Sequence, residues 1–169
     1  MEISPQAQCE AAFTAHGGEI LRFVSFKLAD RQDAEDVASD TFVRYWEKLK
    51  GGERIENPRA LLFTIARGLL IDLYRKKGRR TIVSVEDLDE LFEPETHSDE
   101  ADSRLTHARV LEKVHLLKDR YAEVILMHYV EGLSITAMAE TLGETENTVR
   151  VRLHRSLEKL REQFAYEGT

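Results

Sequence analysis

The 169-residue chain has one cysteine, three prolines and only 8% aromatic residues. The lone Cys9 cannot form an intrachain disulfide, which excludes a secreted disulfide scaffold. It reads as a bystander rather than a nucleophile. So few prolines leave long stretches free to form helix. No apolar run approaches the roughly 18–20 residues of a membrane span, so direct membrane insertion is not expected. The opening MEISPQAQCEAAF lacks the basic and apolar blocks of a signal peptide, which predicts a soluble, cytoplasmic protein. Catalytic patterns are missing too: there is no P-loop, no cysteine cluster and no Gly-x-Ser-x-Gly. The six histidines are scattered. His107 and His115 are spaced too widely for a metal pair on one helix face. No catalytic residue, metal, cofactor or small-molecule substrate is expected, and the chain does not read as an enzyme.

What is present is a helical pattern with unevenly placed charge. Apolar residues make up 42% and charged residues 33%, with a formal net charge of −7. Residues 1–80 carry 14 Lys/Arg and 12 Asp/Glu, and residues 105–169 carry nine and ten. Residues 81–104, which include SVEDLDELFEPETHSDEADS, hold one Arg against nine acids. This segment has no sustained apolar period and reads as a solvated acidic, flexible linker. It predicts an all-α protein of two small helical domains, 1–80 and 105–169, joined by 81–104.

In the first domain, Ile20, Phe23, Val24 and Leu28 recur at helical spacing, followed by Val37, Phe42, Val43, Trp46 and Leu49. Asp30 and Asp33 fit a helix start, and Gly51-Gly52 a helix end. Asn57 then caps a helix with Pro58 at its first position. Its stripe is Leu61, Leu62, Ile65, Leu69 and Leu73, and it ends in RKKGRR, residues 75–80. The macrodipole favours basic residues at a helix end. Five in six positions exceed what capping requires and suit contact with nucleic-acid phosphates.

The second domain carries the sharper pattern. Helices are expected over about 103–117 and 119–130, the latter stopping at Gly132. Ser134 caps a short helix with Ile135, Met138, Ala139 and Leu142 inward. Gly143 makes the turn, and Thr145 caps a last helix with Val149, Leu153, Leu157, Leu160 and Phe164 inward. Short helix, Gly turn and longer helix make a helix-turn-helix. In that geometry the second helix enters the major groove. Glu146, Asn147, Arg150, Val151, His154 and Arg155 then face outward. Arg reads guanine, Asn reads adenine, and Val meets a thymine methyl. A charged outer face on an antiparallel helix pair is the plain alternative.

At this point the residues resemble a family. YAEVILMHYVEGLSITAMAETLGETENTVRVRLHRSLEKLRE resembles region 4 of bacterial extracytoplasmic-function (ECF, group 4) sigma factors of the sigma-70 family. DRQDAEDVASDTFVRYWEKL resembles region 2.2, and NPRALLFTIARGLLIDLYRKKGRR regions 2.3 and 2.4. The Pro-x-x-x-Leu-Phe-x-Ile-Ala start is nearest in character to the ferric-citrate-type subgroup.

The resemblance implies a subunit that binds core RNA polymerase and directs promoter-specific transcription initiation. Region 2.2 would dock on the coiled coil of the largest polymerase subunit through Asp33, Asp36, Asp40, Arg44 and Trp46. Trp46 reads rather as a core residue. Arg67, Asp72, Tyr74, Arg75, Lys76, Arg79 and Arg80 would hold the −10 element as single strand. Asp72 there either accepts from an exocyclic amine or pairs locally with Arg75 or Lys76. Gly68 and Leu69 depart from the Asn-containing family version. Asn147, Thr148, Arg150, Val151, His154 and Arg155 would read the −35 duplex. Leu117, Tyr121, Val124, Ile125 and Met127 resemble the surface that holds the polymerase flap tip, and are also plain core candidates. An anti-sigma factor is an expected further partner, and the acidic linker is implied to thread the polymerase toward the active cleft. The competing expectation is a helix-turn-helix regulator with an N-terminal sensing or dimerisation domain.

Overall fold

The computed structural model describes residues 2–77 and 100–167, with the side chains of 100–107 and 167 left aside. Arg79, Arg80 and residues 81–99 of the acidic segment lie outside the described residues. The chain divides into two compact units, Met1–Val83 and Ser84–Thr169. Seven helices and no strand occur among the described residues.

The first unit is three helices in mutual contact: α1 (Pro5–Lys27), α2 (Arg31–Lys50) and α3 (Pro58–Lys77). α1 starts well before the first apolar period. The N–H of Ala7 donates to the Ser4 hydroxyl, and Pro5 takes the first helical position. Gly17 and Gly18 lie within α1 and hide its continuity from a periodicity argument. The other expected caps form: Asp30 accepts from the N–H of Asp33 at 3.0 Å, and Asn57 from that of Ala60 at 3.0 Å.

The core of this unit differs from the expected stripes. α2 buries Ala34, Val37, Thr41, Tyr45 and Leu49, a single row at spacings of three and four. Tyr45 is fully buried, whereas Phe42 and Trp46 are half-buried and Val43 is 53% exposed. Thr41 fits in the core because its hydroxyl donates to the Val37 carbonyl at 2.7 Å, so no polar group is left unpaired. On α3, Leu62 and Leu69 are buried as expected. Ala60, Phe63, Ala66 and Leu70 join them, while Leu61, Ile65 and Leu73 are half-buried. Phe23 and Phe63 meet edge to face at 5.2 Å in this core. The Arg59–Glu19 pair at 2.8 Å ties the start of α3 to α1.

The second unit contains α4 (Glu100–Leu116), α5 (Asp119–Ile125), α6 (Ile135–Leu142) and α7 (Glu146–Glu167). α4 begins slightly earlier than its apolar pattern predicts, inside the acidic segment. By sequence Glu100 and Asp102 fall in its opening turn, where the helix dipole favours acids. α5 runs directly into a single π turn, Leu126–Val130, closed by the Glu131 N–H donating to the Leu126 carbonyl at 2.9 Å. Gly132, at φ 67°, reverses the chain. Ser134 then accepts from the N–H of Ala137 and caps α6.

Candidate nucleic-acid interface

α6 and α7 form the expected helix-turn-helix. Gly143 stands at φ 65° and ψ 33°, the left-handed conformation that ends α6 without a Cβ penalty. The N–H of Glu144 donates to the Ala139 carbonyl at 3.0 Å, and the N–H of Thr148 to the Thr145 hydroxyl at 3.2 Å. Val149 and Leu153 press into the core, and Ser156 joins them by donating its hydroxyl to the Arg152 carbonyl. The stripe then fades: Leu157 and Leu160 are half-buried, and Phe164 is 37% exposed rather than fully inward. The end of α7 runs past what the unit can cover.

The outward side of α7 carries all six expected −35 residues. Asn147, Thr148, Arg150, Val151, His154 and Arg155 are exposed. Arg150 pairs with Glu146 at 3.1 Å, and the other Glu146 oxygen accepts from Thr136 of α6 at 2.9 Å. The arginine is thus held over the turn between the two helices. His154 Nε2 lies 3.4 Å from Glu158. Arg152 points the other way and pairs with Glu144, so the most evenly basic stretch of the sequence, RVRLHR, splits between the outward face and an internal ion pair.

A hollow of about 280 Å3 opens on one flank of this face, lined by Arg120 and Tyr121 of α5 and by Asn147, Thr148, Val151, Arg152 and Arg155 of α7. Arg120 donates to the Tyr121 hydroxyl at 2.6 Å and stacks on its ring at 4.6 Å. Lys159 lies 5.2 Å from the same ring. The hydrogen bond from Arg120, with the charges of Arg120, Lys159 and Arg155, holds the phenol below its ordinary pKa. Sequence reading missed Arg120, because a basic residue one position into a helix carries no local signal for what lies across from it.

The −10 candidates do not form one patch. Asp72, Arg75 and Lys76 are exposed on the last turns of α3. Asp72 has no hydrogen-bond or ion-pair partner among the described residues, so neither Arg75 nor Lys76 occupies it. Arg67 and Tyr74 lie on another side of the helix and are half-buried. The Tyr74 hydroxyl donates to the Lys27 carbonyl at 3.0 Å, which pins the ring against the end of α1.

On α2, Asp36, Asp40 and Arg44 are exposed around Val43. Asp33 shares their side but pairs with Lys77 at the end of α3. Trp46 is on neither the core row nor the acidic side, with Lys50 over its ring at 6.0 Å. Leu117, Tyr121, Val124, Ile125 and Met127 are all buried, as core residues are, and Tyr121 also borders the hollow.

Residues 12–80 match the family described as Sigma-70 region 2, and residues 107–160 match Sigma-70, region 4. The ECF RNA polymerase sigma factor SigL of Mycobacterium tuberculosis is 31% identical over 165 residues, spanning 94% of this chain and 93% of that protein. The chain belongs to the ECF sigma factors of the sigma-70 family. It therefore functions as an RNA polymerase sigma factor, not as a stand-alone helix-turn-helix regulator, and the family is not one of catalysts. The ferric citrate uptake sigma factor FecI of Escherichia coli is 28% identical over 153 residues, covering 88% of this chain and 86% of that one. Among solved structures, the sigma factor RpoE of Bartonella quintana, in complex with the anti-sigma factor NepR, matches with a TM-score of 0.69 and 25% identity. That match covers 92% of this chain and 96% of that one. CnrH, in complex with the cytosolic domain of CnrY, matches with a TM-score of 0.66 and 27% identity over 95% of this chain and 90% of that one. No helix among the described residues of this sigma factor is long and apolar enough to cross a membrane.

Proposed function

We propose that this sigma factor directs polymerase to a two-element promoter, with residues 1–80 serving the −10 element and core docking, and 105–169 the −35 element. The outward face of α7 carries the reading. Asn147, Arg150, Val151, His154 and Arg155 project together from the N-terminal half of the second helix of a helix-turn-helix, the half that enters the major groove. Arg150 supplies a guanine contact from the centre of the face, and Thr148 and Arg155 lie toward the phosphates at its edge.

Asp36 and Asp40, flanking the exposed Val43, form the docking side of α2 for the coiled coil of the largest polymerase subunit. Exposed acids steer a basic partner quickly and with salt sensitivity, and the apolar centre holds it once docked. Asp33 and Trp46 act at the edge of this surface, Asp33 by fixing the end of α3 through Lys77. That end presents Asp72, Arg75 and Lys76 to the −10 strand, with Asp72 accepting from an exocyclic amine and the basic side chains tracking phosphates; Arg79 and Arg80, which follow in the sequence outside the described residues, would add to the same contact. The Bartonella quintana relative of known structure is in complex with the anti-sigma factor NepR. A protein of that class is the expected regulator here, and the cytoplasm the expected compartment.

Run-off transcription with core polymerase on a −35/−10 promoter tests the reading. Initiation well above core alone is expected, and it should fall when the −35 sequence is scrambled. Initiation no higher than that of core alone would refute it.

A further inference from the structure

Cations gather around Tyr121 without acids to match them. Arg120 stacks on its ring at 4.6 Å and donates to its hydroxyl, and Lys159 lies 5.2 Å from the ring centre. Arg155 lines the same hollow. Among the described residues no carboxylate pairs with any of these three. Only Arg152, at the inner wall, has an acid partner, Glu144. In a chain of net charge −7, three like charges gathered around one ring, two of them lining the hollow, are mutually repulsive, and an anion placed there relieves the repulsion.

The position of the hollow identifies the anion. Asn147 and Val151 belong both to its wall and to the reading face of α7. The major groove is about 12 Å wide, and a helix with its side chains is about 10–12 Å across. A helix lying in the groove therefore presents its flanks, a quarter turn from the base-facing centre, to the phosphodiester backbones. Thr148 and Arg155 occupy that flank on the side of α5. A guanidinium already oriented by the Tyr121 hydroxyl and ring loses little freedom on meeting a phosphate, and its planar fork suits two phosphate oxygens.

We infer that this hollow holds one backbone phosphate at the edge of the −35 element, gripped by Arg120 from α5 and Arg155 from α7. The inference rests on the −35 reading of α7. The Arg120 contact carries no base information. It fixes the register of the reading helix by anchoring a second element of the unit to the same duplex.

The test uses holoenzyme on a promoter from which the wild type initiates, with equilibrium promoter binding measured across a salt series. Arg120→Gln should make the log–log salt slope shallower by about 0.9, and weaken binding about fivefold at 0.15 M salt. The loss should be the same on matched and mismatched −35 sequences. Arg120→Lys should restore most of the slope, and urea unfolding of both variants should match the wild type, since Arg120 is exposed. A single neutral methylphosphonate, scanned along the −35 edge, should at one position weaken the wild type and leave Arg120→Gln unaffected. An unchanged slope in Arg120→Gln overturns the phosphate site while leaving −35 reading intact. So does a variant that loses affinity for core polymerase at unchanged slope, which would place a polymerase surface in the hollow. A wild type indifferent to the −35 sequence overturns the underlying reading itself.

Discussion

Val149 and Arg150 are neighbours with opposite duties, and substituting each to alanine separates folding from promoter use. Val149 is completely buried at the crossing of α6 and α7. Its truncation withdraws two methyl groups, about 1.6 kcal/mol of transfer energy. The unrelaxed space they leave adds roughly 1 kcal/mol. A loss of roughly 2.5 kcal/mol lowers the melting temperature of a unit this size by about 10–20 °C. Arg150 has a side chain 59% exposed, paired among the described residues only with Glu146 one turn away. Such a pair contributes about 0.3–0.5 kcal/mol, so Arg150→Ala should fold normally. A lost bidentate base contact is worth about 1–3 kcal/mol, or about 5- to 150-fold in −35-dependent initiation. Thermal unfolding of the full chain, alongside run-off transcription on intact and scrambled −35 promoters, measures both effects. If Arg150→Ala initiated normally on the intact promoter, the wrong side of α7 would have been assigned to DNA. If Val149→Ala melted like the wild type, the packing of α7 described above would be wrong.

The exchange of Tyr45 for Trp46 in the core gives a second pair. Tyr45→Ala should destabilise the first unit by about 3–5 kcal/mol, seen in urea unfolding, while Trp46→Ala should cost well under half of that. Gly143→Val should lower stability by about 1–2 kcal/mol in the same assay, because φ 65° forces a β-branched residue into the left-handed region. Cys9 should react with maleimide more slowly than free cysteine at neutral pH. Burial, and then the charge of Glu10, push its thiol above the ordinary range and reduce the thiolate fraction. A rate equal to that of free cysteine would contradict the packing of α1 on α2.

The helix boundaries were legible wherever they rest on one residue meeting its own near neighbours. Asp30, Asn57, Ser134, Thr145 and Gly143 each perform the local task their chemistry predicts, because caps and left-handed turns are decided within about four residues. The start of α1 was equally available in Ser4-Pro5 and was obscured by Gly17-Gly18. The outward face of α7 was legible too, since a buried row at three- and four-residue spacing fixes which side remains outside.

The sequence by itself determined the helices, their ends and the polar side of α7, since each follows from contacts within a turn or two. Only the tertiary structure decided which of several adjacent apolar residues enters the core. Tyr45 and Trp46 differ by one position, and the way α1 and α3 pack on α2 selects between them. Tertiary packing also turned Arg152 inward onto Glu144, tied Asp33 to Lys77, and set Arg120 across from Arg155. Those pairings join residues from different helices or opposite ends of a turn. No periodicity within a single helix carries the distance between two helices, and charge recognition depends on that distance.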